Sequence, residues 1–222
     1  MGEGEFVGVI GPNGAGKTTL FGLVAGDLRC DSGRVLLDGH DVTPLRAEQR
    51  CRAGIGRTFQ VPQPFQNLSV YENVLVAAVH GAGLGATEAA GQALRCIERC
   101  GLDAAGDAIA GTLPLLQRKR LELARALATR PRLLLLDEVA GGLTDAEMVQ
   151  LVALVKSIHA EGAAILWIEH LVHALVSAAQ RLVVLTDGSV LADGEPQAVI
   201  RSQLVRETYL GAELELESDA AH

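Results

Sequence analysis

The chain has 222 residues, 49% hydrophobic and 21% charged, enough for one α/β domain with a substantial core and a smaller inserted lobe, but not for two independent domains. Its formal charge of −8 lacks the electrostatic footprint of a protein that binds nucleic acid or coats an anionic membrane. Cys30, Cys51, Cys96 and Cys100 lack paired C-x-x-C spacing and read as reduced thiols of a cytosolic protein, and no apolar stretch is long enough to span a membrane or to act as an export signal.

In chain order, Phe6-Val7-Gly8-Val9-Ile10 is an apolar run that ends in a glycine-rich turn, and residues 18–24 read as a helix. Residues 34–38 (RVLLD) predict a strand closed by the Asp38-Gly39 turn, and residues 57–60 (RTFQ) predict another short strand. The middle of the chain changes character. Ser69-x-x-Glu72 is a capping box before an apolar helix reaching residue 79, and residues 86–100 form a second helical stretch. A long helix over 116–129 stops before Pro131. Leu133-Leu134-Leu135-Leu136 then has the continuous apolar character of a strand inside a parallel sheet. Thr144-x-x-Glu147 caps a helix to about residue 160, a strand over 163–168 follows, then a helix over 170–179 and a strand over 182–186. This alternation predicts a mostly parallel sheet covered by helices on both faces. The acidic tail after Gly211 reads as frayed.

Gly11-Pro12-Asn13-Gly14-Ala15-Gly16-Lys17-Thr18 matches G-x-x-x-x-G-K-[ST] between a strand and a helix. Successive backbone N–H groups there form an anion nest at a helix N-terminus, the glycines admit a phosphate, Lys17 neutralises β/γ charge, and the Thr18 hydroxyl ligates Mg²⁺; Thr19 completes the phosphate-binding set. Asp137 and Glu138 end the second apolar strand. Asp137 can hold Mg²⁺, directly or through water, and Glu138 can polarise an attacking water.

The ordered set GPNGAGKT, Gln60 in RTFQ, a helical lobe, LPLLQRKRLELARAL, LLLLDE and His170 in LWIEH resembles the ATP-binding subunits of ABC transporters over essentially the whole chain. Within that family, GRTFQVPQPFQNLSVYENVLVA, Ala140-Gly141-Gly142-Leu143 and Tyr209-Leu210-Gly211 are similar to the branched-chain amino-acid (Liv-type) importer ATPases; urea and other amide or amino-acid importers use close relatives. The resemblance implies a P-loop NTPase fold of ABC type: a nucleotide-binding core over 1–60 and 130–222, and a helical subdomain over 61–129. The antiparallel strands that usually precede the first strand, with the aromatic that stacks on adenine, are expected to be missing. The cofactors implied are ATP and Mg²⁺. Gln60 is implied to contact Mg²⁺ and a membrane subunit, and His170 to reach the γ-phosphate. The partners implied are a second ATPase subunit arranged head to tail, identical or different, and two permease subunits docking near Gln60 and Phe65. A solute-binding protein acts indirectly, nucleic acid plays no part, and the chain sits in the cytoplasm against the inner face of the membrane. The activity implied is ATP hydrolysis driving uptake of branched-chain or related amino acids. The alternatives are a subunit that binds ATP without hydrolysing it and a soluble ABC ATPase with no membrane partner.

Two departures from the family pattern bear on that activity. Leu113-Pro114-Leu115-Leu116-Gln117 stands where the family has Leu-Ser-Gly-Gly-Gln or Leu-Pro-Tyr-Gly-Gln, the loop that closes over the partner's ATP. Pro114 offers no hydroxyl and no N–H, and a leucine at position 116 costs about 1–2 kcal/mol if the site needs positive φ. The stretch is open to three readings: core residues beginning a helix, a tolerated variant of the loop, or a loop that no longer supports fast hydrolysis at the partner's site. Thr144 occupies the usual place of an aspartate, with Asp145 one residue late.

Overall fold

The structure, a computed structural model, describes residues 1–207. Its main sheet has the order β4-β5-β6-β1-β7-β8, where β1 is Phe6–Ile10, β4 Ile55–Arg57, β5 Leu133–Asp137, β6 Ala164–Ile168, β7 Arg181–Thr186 and β8 Ser189–Gly194. All pairings are parallel except the edge pair β7/β8. Both faces are covered, so alternate residues of one strand enter different cores. Leu134 and Leu136 join Phe6, Ile165, Trp167, Leu182 and Val184 on one side, whereas Leu135 joins Val9, Ile168 and Leu185 on the other. That division is why the leucine run at 133–136 has no polar alternation.

The second face is covered by α1 (Lys17–Ala25), which contributes Phe21 and Ala25, and by the segment that contributes Val42. The strand expected over 34–38 is shorter, Leu36–Leu37, and ends at the Asp38-Gly39 turn. Leu36–Leu37 (β2) and His40–Asp41 (β3) form a separate two-stranded antiparallel ribbon about the Asp38-Gly39 turn, where both residues take positive φ. The strand expected at 57–60 lies earlier, at Ile55–Arg57, and leaves Gln60 in the loop beyond it. The helix α2 (Ala47–Ala53) and the strand β8 had no clear signal in the sequence pattern. Buried Arg50 on α2 explains the first: its guanidinium donates to the carbonyls of Leu23, Val24, Thr43 and Leu45, tying α2 to the end of α1.

The first face is covered by α3 (Val70–Val76), α4 (Ala86–Arg99), α5 (Leu115–Ala128), α6 (Asp145–Ala160) and α7 (Val172–Ala178). The capping boxes at Ser69/Glu72 and Thr144/Glu147 form as expected. The helix expected to reach residue 79 ends at Val76 and continues as a π-helical turn over Ala77–Gly81. Buried Asn73 accepts from the Phe65 N–H at 2.8 Å and donates to the carbonyls of Phe65, Leu68 and Ser69, which fixes the loop ahead of α3. Two short helices, α8 (Pro196–Arg201) and α9 (Gln203–Val205), end the described chain; Tyr209-Leu210-Gly211 and the acidic tail lie outside it. Among the described residues no helix is long and apolar enough to cross a membrane, and all four cysteines are free thiols. Burial raises the Cys96 thiol to about 11.

Candidate functional site

The loop from Gly11 to Gly16 leaves β1 and enters α1 with Gly16 as the residue before the helix, at φ 96°. No side chain caps this helix and its first turn carries no acid, so its leading N–H groups face outward unmatched by a local anion. Gly11 is required sterically: a Cβ there would lie 2.2 Å from the Leu185 carbonyl oxygen. Ala15 is buried, while Asn13, Gly14, Thr18 and Thr19 are exposed and Pro12 half-buried. Lys17 is buried, and its ammonium donates to the carbonyls of Gly11 at 2.7 Å and Pro12 at 3.0 Å, which curls the loop around a fixed positive charge.

Asp137 is the last residue of β5, which β6 separates from β1 in the sheet, and Glu138 follows it. Asp137 is buried, and Arg57 Nη2 approaches its carboxylate at 3.4 Å. Burial pushes the Asp137 carboxyl above the ordinary aspartate range, and Arg57 offsets part of that rise. Arg57 also pairs with Asp27, just after α1, so one guanidinium links the end of β5 to the helix that follows the glycine loop. Thr18 supplies a hydroxyl and Asp137 a carboxylate, both hard oxygen donors. Among the described residues no group of three His, Cys, Asp or Glu is arranged to hold a metal.

Glu138 is held at every polar atom. Its N–H donates to the Ile168 carbonyl at 2.9 Å, and its own carbonyl accepts from Gly141 N–H and from Lys119 Nζ, each at 3.3 Å. The Gln60 amide donates to one carboxylate oxygen, and His170 Nε2 lies 2.8 Å from the other. Gln60 and His170, far apart in sequence, thus meet on one carboxylate. The backbone of Glu138 has φ 46°, a conformation costing roughly 1–2 kcal/mol for a residue with a side chain, which the surrounding bonds must sustain. The strain considered for Leu116 does not occur there. Among the described residues the non-glycine positive-φ positions are Asp38, Arg130, Glu138 and Asp187.

Arg57, Lys119, Glu122 and Glu169 belong to this site and were not singled out from the sequence. Buried Glu169 accepts from Ala140 N–H at 2.7 Å and Trp167 Nε1 at 3.2 Å, fixing the chain just past Glu138. Burial raises the Glu169 and Glu122 carboxyls and lowers the Lys119 ammonium. The discoverable signal was charge at helical core positions: Lys119 and Glu122 lie one turn apart inside an otherwise apolar stripe.

Leu113 is buried, Pro114 precedes α5 with extended backbone, and Leu115 and Leu116 form its first turn. Leu116 packs against the main core, while Leu115 is 39% exposed and lies beside Gly142. Thr144 caps α6 in place of an aspartate, with Asp145 as the first residue of that helix. A cleft of about 300 Å³ opens beside Arg57, Phe59, Glu122 and Arg125, and Phe59, Val61 and Phe65 are exposed along the loop at 59–65.

Residues 1–141 match the family model described as ABC transporter. The high-affinity branched-chain amino acid transport ATP-binding protein BraF of Pseudomonas aeruginosa is 37% identical to the chain, covering 94% of it and 88% of BraF. The lipopolysaccharide export system ATP-binding protein LptB of Acidithiobacillus ferridurans is 35% identical, covering 96% of the chain and 88% of LptB. The crystal structure of the ADP conformation of MJ1267, an ATP-binding cassette of an ABC transporter, is similar with a TM-score of 0.84 at 30% identity, covering 94% of this chain and 89% of that one.

Proposed function

The chain belongs to the ABC transporter family as an ATP-binding, ATP-hydrolysing subunit, and from that premise we propose the residue roles, assembly and cargo class that follow. Of the described residues, 1–60 and 130–207 make the nucleotide-binding core, and 61–129 the helical subdomain. The loop Gly11-Pro12-Asn13-Gly14-Ala15-Gly16 wraps the phosphates with its N–H groups, Lys17 neutralises β/γ charge, and Thr19 extends the set. Mg²⁺ bound by Thr18, Asp137 and Gln60 would screen charge between the β- and γ-phosphates. Glu138 is the general base that orients and polarises the attacking water, and His170 stabilises charge on the γ-phosphate.

The observation that carries this reading is the meeting of Gln60 and His170 on the Glu138 carboxylate. A structural carboxylate at a strand end needs no such pair of partners. The subunit pairs head to tail with a second ATPase, identical or different, and the exposed Phe59, Val61 and Phe65 beside the cleft receive two permease subunits on the cytoplasmic face of a membrane. Similarity to BraF supports uptake of branched-chain or related amino acids, with a solute-binding protein acting through the permeases. Similarity to LptB supports a second reading, export of a lipid, through the same ATPase cycle and different membrane subunits.

The test is the Glu138→Gln variant with Mg-ATP. Hydrolysis should fall at least about 10²-fold while ATP binding persists, and size exclusion should show a nucleotide-dependent dimer. A variant that turns over at the wild-type rate removes Glu138 from the base role. ATP binding without dimerisation means that a different subunit supplies the facing loop. Reconstitution with the membrane subunits then separates the readings: stimulation by an amino-acid-loaded binding protein supports uptake, and stimulation by lipid alone supports export.

A further inference from the structure

Lys119 is buried in α5, and no step of the mechanism above uses it. Its ammonium donates to the Gln60 carbonyl at 3.2 Å and to the Glu138 carbonyl at 3.3 Å. These are the two residues whose side chains meet each other. One cation therefore clamps both backbones while their amide and carboxylate bond each other. The carboxylates of Glu169 and Glu138 supply the negative charge that keeps a buried ammonium tolerable.

The same helix grips the loop after Gln60 at further points. Glu122 accepts from Gln63 N–H at 2.8 Å, Arg125 donates to the Gln63 carbonyl at 2.7 Å, and the Arg125 guanidinium lies 5.2 Å from the Phe65 ring centroid. At the start of the helix, Leu115 lies close enough to Gly142 that a Cβ there would sit 3.2 Å from Leu115 Cδ2. α5 thus touches both the Gln60 loop and the segment following Glu138, and only Lys119 holds the two together with a charge.

We infer that Lys119 is a positioning residue that clamps the backbones of Gln60 and Glu138 to α5, so that the placement of this helix sets the placement of the hydrolytic carboxylate. This rests on the reading of Glu138 as general base. Motion of α5, whose first turn carries Leu115 and Leu116, is transmitted to Glu138 of the same chain through this ammonium, a contiguous physical link and not mere proximity. Lys119 brings several N–H donors to two carbonyls at once; an apolar side chain would bond neither, leaving the Glu138 carbonyl with Gly141 N–H alone.

The test compares Lys119→Met and Lys119→Arg in the full chain. Lys119→Met should lower kcat at least about ten-fold with KM for ATP within about two-fold, since the phosphate loop is untouched. Lys119→Arg, which keeps charge and donors, should restore most of kcat. Amide hydrogen exchange over 138–142 should accelerate in the Met variant and not in β1 or α6, a readout that decides the clamp whether or not the chain hydrolyses ATP. A wild-type chain that binds but does not turn over ATP would count against Glu138 as base and leave the exchange result to judge Lys119. Wild-type exchange and kcat in Lys119→Met overturn the inference. So does loss of ATP affinity in step with kcat, or failure of arginine to rescue, because either makes Lys119 a general packing residue. If the Met variant does not fold, Lys119→Gln, a shorter uncharged donor, carries the same comparison.

Discussion

The helices α1 and α5 both have bare N-termini, and they are built for different tasks. Both α1 and α5 lack a side-chain cap and an acid in the first turn, so each leaves a positive dipole end with N–H groups to spare. Ahead of α1 stands a glycine loop with positive φ at Gly14 and Gly16, curled around the buried Lys17 ammonium. Ahead of α5 stands Pro114, with Leu115 half-exposed and Leu116 packed into the core. The dipole is common to the two; a concave nest and a fixed cation belong only to the first. A helix end becomes a phosphate site through the loop before it, and the α5 end keeps only the weaker, geometry-tolerant part of that device.

The comparison can be broken at the first helix most severely. Lys17→Ala should weaken ATP binding by about 10²-fold or more, measured by titration calorimetry, because it removes the charged partner from a desolvated loop. Equal affinity in the variant would mean that the backbone nest alone holds the phosphates. At the second helix, Leu116→Gly should cost about 2 kcal/mol of stability, from lost helix propensity and lost burial, with little gain in ATPase rate. Thermal melts and steady-state rates check it, and a rate gain of about ten-fold would show that the closed dimer demands a backbone that leucine resists. Pro114→Ser should do less, raising stability by about 0.5–1 kcal/mol by supplying the missing cap. A marked rise in hydrolysis with it would assign the serine hydroxyl a role at the partner's nucleotide.

The smallest effect concerns the distant side of the site. Glu169→Gln can keep both hydrogen bonds, since Ala140 N–H and Trp167 Nε1 share one oxygen of the native carboxylate. Burial raises the Glu169 carboxyl above its ordinary 4.5. A raised carboxyl contributes stability that is present below the ordinary value and lost as pH climbs through the folded one. The melting temperature of Glu169→Gln relative to the native chain should therefore increase between pH 4.5 and pH 8. A difference that is flat or opposite in sign would mean that the Ala140 and Trp167 hydrogen bonds, together with Lys119, outweigh burial at this carboxyl.

The alternation of elements, both capping boxes and the glycine loop were legible because each depends on neighbours within a few residues. The same holds for Leu133-Leu134-Leu135-Leu136, whose unbroken apolar character announces burial on both faces. The strand ahead of the Asp38-Gly39 turn was legible too, but not its return strand at His40–Asp41, because a two-residue pairing has no period to count. α2 stayed hidden because its anchor, Arg50, is a charged residue whose partners are carbonyls that another helix leaves bare.

By itself the sequence determined the fold class, the glycine loop between β1 and α1 and the two acids at the end of the apolar run that forms β5, since these rest on local conformational preference and on periodic burial. Only the tertiary structure decided that Gln60 and His170 converge on Glu138, that the strained backbone lies at Glu138 and not at Leu116, and that Lys119 and Glu169 stand behind them. The physical reason is desolvation. A charged side chain in a sequence carries no mark of whether it will face water, and its partners are chosen by sheet order and helix packing across distances the local pattern does not encode.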